Sequence, residues 1–546
     1  MTNYARYRAP AESGQKLIAP PWGDLCRIVA GNVAWRRESS LTILGRPLAE
    51  FAAEARAEVL ARAEEYISTY AASSAPIKGA ARLAVRAEAK PCGGSHVAPL
   101  IVTGHQPELV HPGVWVKNFA AAALCASKGA VSLNLVIDGD ACRSTAIRVP
   151  AGTLAEPRWE SVDFDGPAAG MPWEQRTIVD AERWQSFPAR VGAATAGMLS
   201  ERMLDDWWPL AMERAAATGR IGLGLAQARH LAEIEWGSHN LELPQSGMCQ
   251  TDAFRRFTLH LFNELPRFVD SYNAALDEYR QVHRLRNHAH PVPNLAVDGQ
   301  WQQAPYWVWS NEIPTRRPVF VKRDGGGFVV TDRQTFERRL PCVCDDSGDR
   351  AVAELADWEA QGIKLRSRAL ITTMFARLAV ADLFIHGIGG AKYDEATDAI
   401  CERFFATAPP AFAAISGTLH LPIARTADAA EPVAALRQRL RDLQYHPEQD
   451  VDFAAANGEA GAAVASKRQW IATAKTAANA AERHHAIATA NAALQPEVAG
   501  IREQLEQRIA AASEQSRTNR VLNSREYASC LFPRKSLEQF LLDFPS

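Results

Sequence analysis

Apolar residues recur in three rhythms along the chain. Leu48, Phe51, Ala55, Val59, Ala63, Tyr66 and Tyr70 fall three and four apart. This spacing predicts an amphipathic helix of about six turns, with Pro47 at its first position. Residues 1–40 read as an irregular arm anchored by Trp22 and Trp35, and residues 79–94 as a mixed connector. The second rhythm is short and continuous. Leu100-Ile101-Val102 is closed by Gly104, a helical stretch with little polar surface covers 114–127, and Gly129 ends it. A second apolar run covers 131–137 and stops at Asp138-Gly139-Asp140. Strand, helix and strand in close succession predict a βαβ unit with parallel strands. Ligands of such sheets sit beyond the carboxyl ends of the strands, where the His105 and Asp138–Asp140 turns fall.

Residues 150–290 read as an inserted segment, rich in tryptophan at first and ending in a long helix over 252–279 that Pro266 kinks or divides. Residues 291–333 change to short alternating runs. Tyr306-Trp307-Val308-Trp309 and Pro318-Val319-Phe320-Val321-Lys322 read as strands, and Asp324-Gly325-Gly326-Gly327 as a hairpin turn. Leu383-Phe384-Ile385-His386 is a further strand, followed by the glycine-rich stretch Gly387-Ile388-Gly389-Gly390-Ala391-Lys392-Tyr393-Asp394. Asp394 is positioned to cap the helix beyond it. The third rhythm is heptad-like: Val433, Leu436, Leu440 and Leu443, then Leu494, Val498, Ile501, Leu505 and Ile509. It predicts an antiparallel helical hairpin or coiled coil. The expected layout is an arm and helix over 1–95, an α/β core over 96–410, the helical hairpin over 411–515, and a tail over 516–546 packing on the core.

Composition narrows the function classes. Sixty Lys and Arg against 62 Asp and Glu give a net charge of −2, which argues against nucleic-acid binding through a net basic surface. No apolar run approaches the length of a membrane span, and the polar N-terminus lacks a signal peptide's apolar core. Nine scattered cysteines fit reduced thiols and a cytoplasmic location better than a disulfide framework. Cys342-x-Cys344 and His288-x-His290 lack the four-ligand spacing of a zinc site, so no metal ligands are assigned.

The candidate chemistry gathers at the strand ends. Gly104, His105 and Gln106 form one turn, in which His105 stabilises charge on a transferred phosphoryl group or is simply bonded to nearby backbone. His111 is too far along for a His-x-x-His pair. Asp138 and Asp140, two apart, share a side if the strand geometry persists. They can bind a substrate amine, hold Mg²⁺ through water or hold a ribose, or serve only as turn residues. Gly387, Gly389 and Gly390 nearly make a dinucleotide fingerprint, with His386 before them and Lys392 after them to meet a phosphate. Cys142 lacks a visible base. Arg366 and Arg368 either steer an anionic substrate or face solvent.

Val102-Thr103-Gly104-His105-Gln106, a helix, and Leu135-Val136-Ile137-Asp138-Gly139-Asp140 resemble the front of the bacillithiol-biosynthesis cysteine-adding enzymes. Residues 383–394 are similar to that family's strand, Gly-Pro-Gly-Glu-type turn and tyrosine-bearing helix start. The resemblance covers most of the chain in layout and about thirty residues in motif. It implies a Rossmann-like parallel-sheet core related to class I nucleotidylyl transferases, inserted segments and a dimerising coiled coil. Four positions depart from the family: His105 stands for the first glutamine of the turn, Ala141 and Cys142 stand where polar ligands are expected, and Lys392 replaces the acid of the second turn.

The expectation is a ligase that joins an amino acid, cysteine in the family, to a small amine-bearing acceptor with ATP or ADP as cofactor. Mg²⁺ is an optional companion of the nucleotide. His105, Asp138, Asp140 and Lys392 are the catalytic candidates; Gly104, Gln106, His386, Gly387, Gly389 and Gly390 would hold the nucleotide. Its partners would be a small-molecule substrate and a second copy through 430–515, with neither nucleic acid nor membrane. The rivals are a non-catalytic dimeric scaffold on the same core and a nucleotidyl transferase that does not ligate.

Overall fold

The computed structural model describes residues 7–71, 98–168, 170–287, 292–341, 343, 348–424, 431–451 and 458–545. The connector over 79–94 and the His288/His290 and Cys342/Cys344 pairs lie outside them. The chain divides into two units. The larger takes 1–149, 160–422 and 525–546; the smaller takes 150–159 and 423–524.

The larger unit is built on a six-stranded sheet. Its strands are β1 (Lys16–Ala19), β2 (Leu100–His105), β3 (Val131–Val136), β4 (Leu241–Pro244), β5 (Leu383–His386) and β6 (Phe412–Gly417). Their order is β1-β6-β5-β2-β3-β4, with every neighbouring pair parallel except β1 against β6. The expected βαβ unit is present: α3 (Pro112–Lys128) joins β2 to β3 and ends on Gly129, whose φ of 61° suits a left-handed cap. From β2 the chain proceeds to β3 and β4 on one side; β5 and β6 continue on the other. The order therefore reverses between β2 and β5.

The pleat sorts the side chains. Leu100, Val102, Leu133, Leu135, Leu241 and Leu243 face one way and join the main core with α2 (Leu48–Ser68) and with Ala396, Ala399 and Ile400 of α5 (Ile388–Phe405). The alternate row, Thr103, Asn134 and Glu242 in register, is buried and polar. It lies under α3 and α4 (Ile221–Glu235), because Asn118 of α3 donates to Glu233, and Arg229 of α4 donates to Glu242. Helices thus cover both faces.

Several expectations change. The supposed arm contains β1 and α1 (Leu25–Glu38), and Trp22 stacks on Phe544 with ring centroids 5.2 Å apart. Pro47 lies just before α2 rather than at its first position, and makes no capping hydrogen bond. The inserted segment ends before 241, because β4 belongs to the central sheet. The helix over 252–279 is divided near Pro266, as expected, into Asp252–Asn263 and Leu265–Val282, with Pro266 in the first turn of the second. The alternating runs form a separate antiparallel sheet of Trp301–Ser310, Arg317–Asp324, Gly327–Thr331, Glu337–Pro341 and Ile363–Ser367. The change of unit falls at 423 rather than 411, since β6 pairs with β5 and β1.

In the smaller unit, Leu436 and Leu443 pack against Val498, Leu505 and Ala512. The heptad positions of helices Val433–Tyr445 and Ala499–Leu522 therefore close on each other within one chain. The alanine-rich middle is itself helical, Glu459–Ala472 beside Ala480–Leu494. No helix among the described residues is long and apolar enough to cross a membrane.

Candidate functional site

The reversal between β2 and β5 brings the expected Gly104 and Gly387 turns to either side of one buried lysine. Lys117, on the second turn of α3, donates from Nζ to the Gly104 carbonyl at 2.7 Å. A Cβ placed on Gly387 would stand 3.8 Å from Lys117 Cδ. Lys117 is 2% exposed, and no carboxylate meets its ammonium among the described residues. Burial, and then the charge of Arg229, bring its pKa down to about 7. An unpaired cation in such a place is costly unless something anionic compensates it. The sequence carried a faint signal, for Lys117 and Asn118 interrupt an otherwise apolar run.

The start of α3 is fixed on the neighbouring strand end. A Cβ on Gly113 would stand 2.2 Å from the Gly417 carbonyl oxygen, so only glycine permits the helix to lie there. Ser416 Oγ donates to Gly113 O at 2.8 Å, and Arg525 donates to Gly417 O at 2.9 Å. His111 is the N-cap of α3, and its Nδ1 accepts from Gly113 N at 3.1 Å. Burial, then Arg525, lowers its pKa to about 4. It is spent on the backbone.

His105 and Gln106 line a cleft together with Glu108, Trp115, Asn134 and Arg229. Burial, then Lys117, lowers the His105 pKa to about 3, so the ring is neutral near pH 7. Its Nδ1 lies 3.1 Å from the Gln106 carbonyl. Arg229 sits between Glu233 and Glu242 at the cleft floor. Trp115 Nε1 and Asn118 Nδ2 also donate to Glu233, at 2.6 and 2.8 Å. No local pattern announces this fixed network, because its members are far apart in sequence and individually ordinary.

The two aspartates part company. The strand ends at Val136, and residues 138–140 form a turn, so the expected shared side does not arise. Asp138 is buried and accepts from Ser246 N at 2.9 Å and Ser246 Oγ at 2.5 Å. Burial, then the charge of Glu174, pushes its pKa up to about 7. Asp140 instead is about one-third exposed. It accepts from Gln106 Nε2 at 2.9 Å and from Arg316 at 2.9 Å, which joins the β2 turn to the antiparallel sheet.

The glycine-rich stretch is less of a turn than its composition suggests. Gly387 is the N-cap, and Gly389, Gly390 and Lys392 already belong to α5. Gly389 and Lys392 are exposed, Lys392 on the helix surface. Asp394 does not cap the helix but lies inside it, buried. It accepts from Thr373 Oγ1 and His386 Nε2, each at 2.9 Å, and pairs with Arg377. Burial works against its charge, yet Arg377 and His386 hold it far below the usual carboxylate range. His386 is thereby engaged, enclosed by Phe384, Phe412 and Gly390. Cys142 is fully buried, and burial raises its pKa to about 11, so it is no nucleophile near neutral pH.

Gly104, Gln106, His105, Asp140 and Gly387 thus come together around Lys117 and the β2 turn. Asp138, His386 and Asp394 serve internal packing. Among the described residues no group of three or more His, Cys, Asp or Glu is placed to hold a metal. No protein-family model matches the chain, and a search of curated proteins finds no similar sequence.

Proposed function

We propose that the protein is a nucleotide-using ligase that joins an amino acid, cysteine by the family resemblance, to a small amine-bearing acceptor. The observation that carries this reading is Lys117, a buried ammonium without a carboxylate, held between Gly104 and the N-terminus of α5. Helix N-termini and lysines are the usual partners of phosphate, and ligands of doubly wound sheets sit where the strand order reverses. The order β6-β5-β2-β3-β4 supports a Rossmann-like core.

The residues divide the work. Lys117 and the α5 amides would hold an ATP or ADP phosphate, with Lys392 reaching in from the solvent side. His105, neutral and with its Nδ1–H given to the Gln106 carbonyl, would offer Nε2 as a proton acceptor beside the β2 turn. Asp140 positions the acceptor amine; Asp138 drops out of that role because Ser246 occupies it. Calorimetry with ATP, ADP and AMP tests the reading. We expect binding of at least one at millimolar concentration or below, weakened about tenfold or more in Lys117→Met. No binding of any of the three removes the nucleotide. Adenylated product without a new amide would turn the reading to nucleotidyl transfer.

A further inference from the structure

A second unpaired cation lies on the antiparallel sheet, across Asp140 from the β2 turn. Trp307 of the strand Trp301–Ser310 carries two guanidinium groups on its ring. Arg368 lies 4.1 Å and Arg316 4.9 Å from the ring centroid. Arg316 donates to Asp140 Oδ1 at 2.9 Å and to Gly139 O at 3.3 Å. Arg368 has no comparable partner. It is 8% exposed, its Nε is buried without a hydrogen bond, and no carboxylate pairs with it among the described residues. The charged group beside it is Arg316, of its own sign.

Arg366, two residues earlier, shows what this fold does with an arginine that only has to be buried. Its guanidinium donates to Glu174 at 2.7 and 2.9 Å and to Glu359 at 2.8 and 2.9 Å. The contrast marks Arg368 as different. An aromatic face fixes a guanidinium in place while leaving its edge donors unused, and a planar fork of donors matches carboxylate and phosphate oxygens. Trp307 is itself only partly buried, so the pair is not sealed within the core. Asp140 offsets one of the two positive charges and leaves the other uncompensated.

We infer that Arg368 and Arg316, braced on Trp307, form an oxyanion site that takes the carboxylate or phosphate group of a small-molecule substrate. Because Asp140 bonds both Arg316 and Gln106, the anion is held beside the β2 turn. The substrate therefore carries a negative group as well as the portion that reaches Asp140. The site does not depend on a nucleotide at Lys117.

The test is calorimetric titration of the full chain with inorganic phosphate and, separately, with malonate, in buffer free of other multivalent anions. Saturable binding of at least one is expected, weakened about tenfold or more in Arg368→Met, the worth of a charge-assisted hydrogen bond. Phosphate alone would mark a phosphorylated substrate, and malonate alone a carboxylated one. Lys117→Met should leave the malonate affinity within about twofold, and Arg368→Met should leave ATP affinity equally unchanged. A lost ATP response with intact malonate binding would thus sink only the nucleotide reading. Absence of binding by both anions, or equal affinity in wild type and folded Arg368→Met, overturns the oxyanion site. If circular dichroism shows Arg368→Met unfolded, Arg316→Gln is read in its place, and unchanged affinity there overturns it too.

Discussion

Lys117 places an amine where burial and Arg229 both disfavour its charge. Its folded-state pKa, about 7, lies below the 10.5 of an ordinary lysine. Between those values the unfolded chain binds a proton that the folded chain does not, so this group makes stability rise with pH. Below about 7 both states are charged and the fold bears the whole cost of the buried ammonium. Lys117→Met should therefore stabilise the protein more at pH 6 than at pH 10, by about 2–4 kcal/mol in urea unfolding. Equal effects at the two pH values would mean the charge is not buried. Lys117 was hard to find from sequence because its meaning depends on Gly387, far along the chain, whereas His105 and His111 advertise themselves by sitting at a turn. His111 shows how such an advertisement misleads, since its ring only caps a helix. Arg368 stands beside Arg366 in sequence, and only the side-chain partners separate the two.

At the junction of β5 and α5, three glycines within four residues read as a turn before a helix capped by Asp394, and glycine is a poor helix former. The helix forms regardless, starting one residue after the strand. Gly390 is required by packing: a Cβ there would lie 2.8 Å from His386 Nδ1, and His386 cannot swing away while it holds Asp394. Gly389 meets nothing within 4 Å. Gly390→Ala should cost about 1–3 kcal/mol. Gly389→Ala should be neutral or stabilising by up to about 1 kcal/mol. Thermal melts that place the two variants in the opposite order would refute this account of the junction. Elements with a clear period were legible in advance: α2, the βαβ unit, and the heptad helices. Those without one were not. β1 is a four-residue strand beside Pro20, too short to display alternation, and it is recognised only by its pairing with β6.

Over the whole larger unit, Asp382 joins parts that no local pattern connects. It accepts from Arg36 of α1, from Arg56 of α2 at 2.8 Å and from the backbone of Leu100 at 2.8 Å, just before β5 begins. Burial opposes its charge, but Arg56 and Arg36 outweigh it and lower its pKa. Its contribution is thus present above the pKa of an unfolded aspartate and lost as pH falls below it. Asp382→Ala would strand the buried Arg36 guanidinium and the half-buried one of Arg56 and should cost about 3–5 kcal/mol near pH 7. Urea unfolding that finds less than about 1 kcal/mol would show that the arginines find other partners. The sheet also sets a timetable for synthesis. Thr103 donates to the carbonyl of Ile385, 282 residues later. At about 5–20 residues per second, the exposed edge of β2 waits roughly 15–55 seconds on the ribosome for its neighbour. During that interval β2 can pair only with β3, β4 can add to the far edge of β3, and Lys117 has the Gly104 turn on one side and nothing yet on the other.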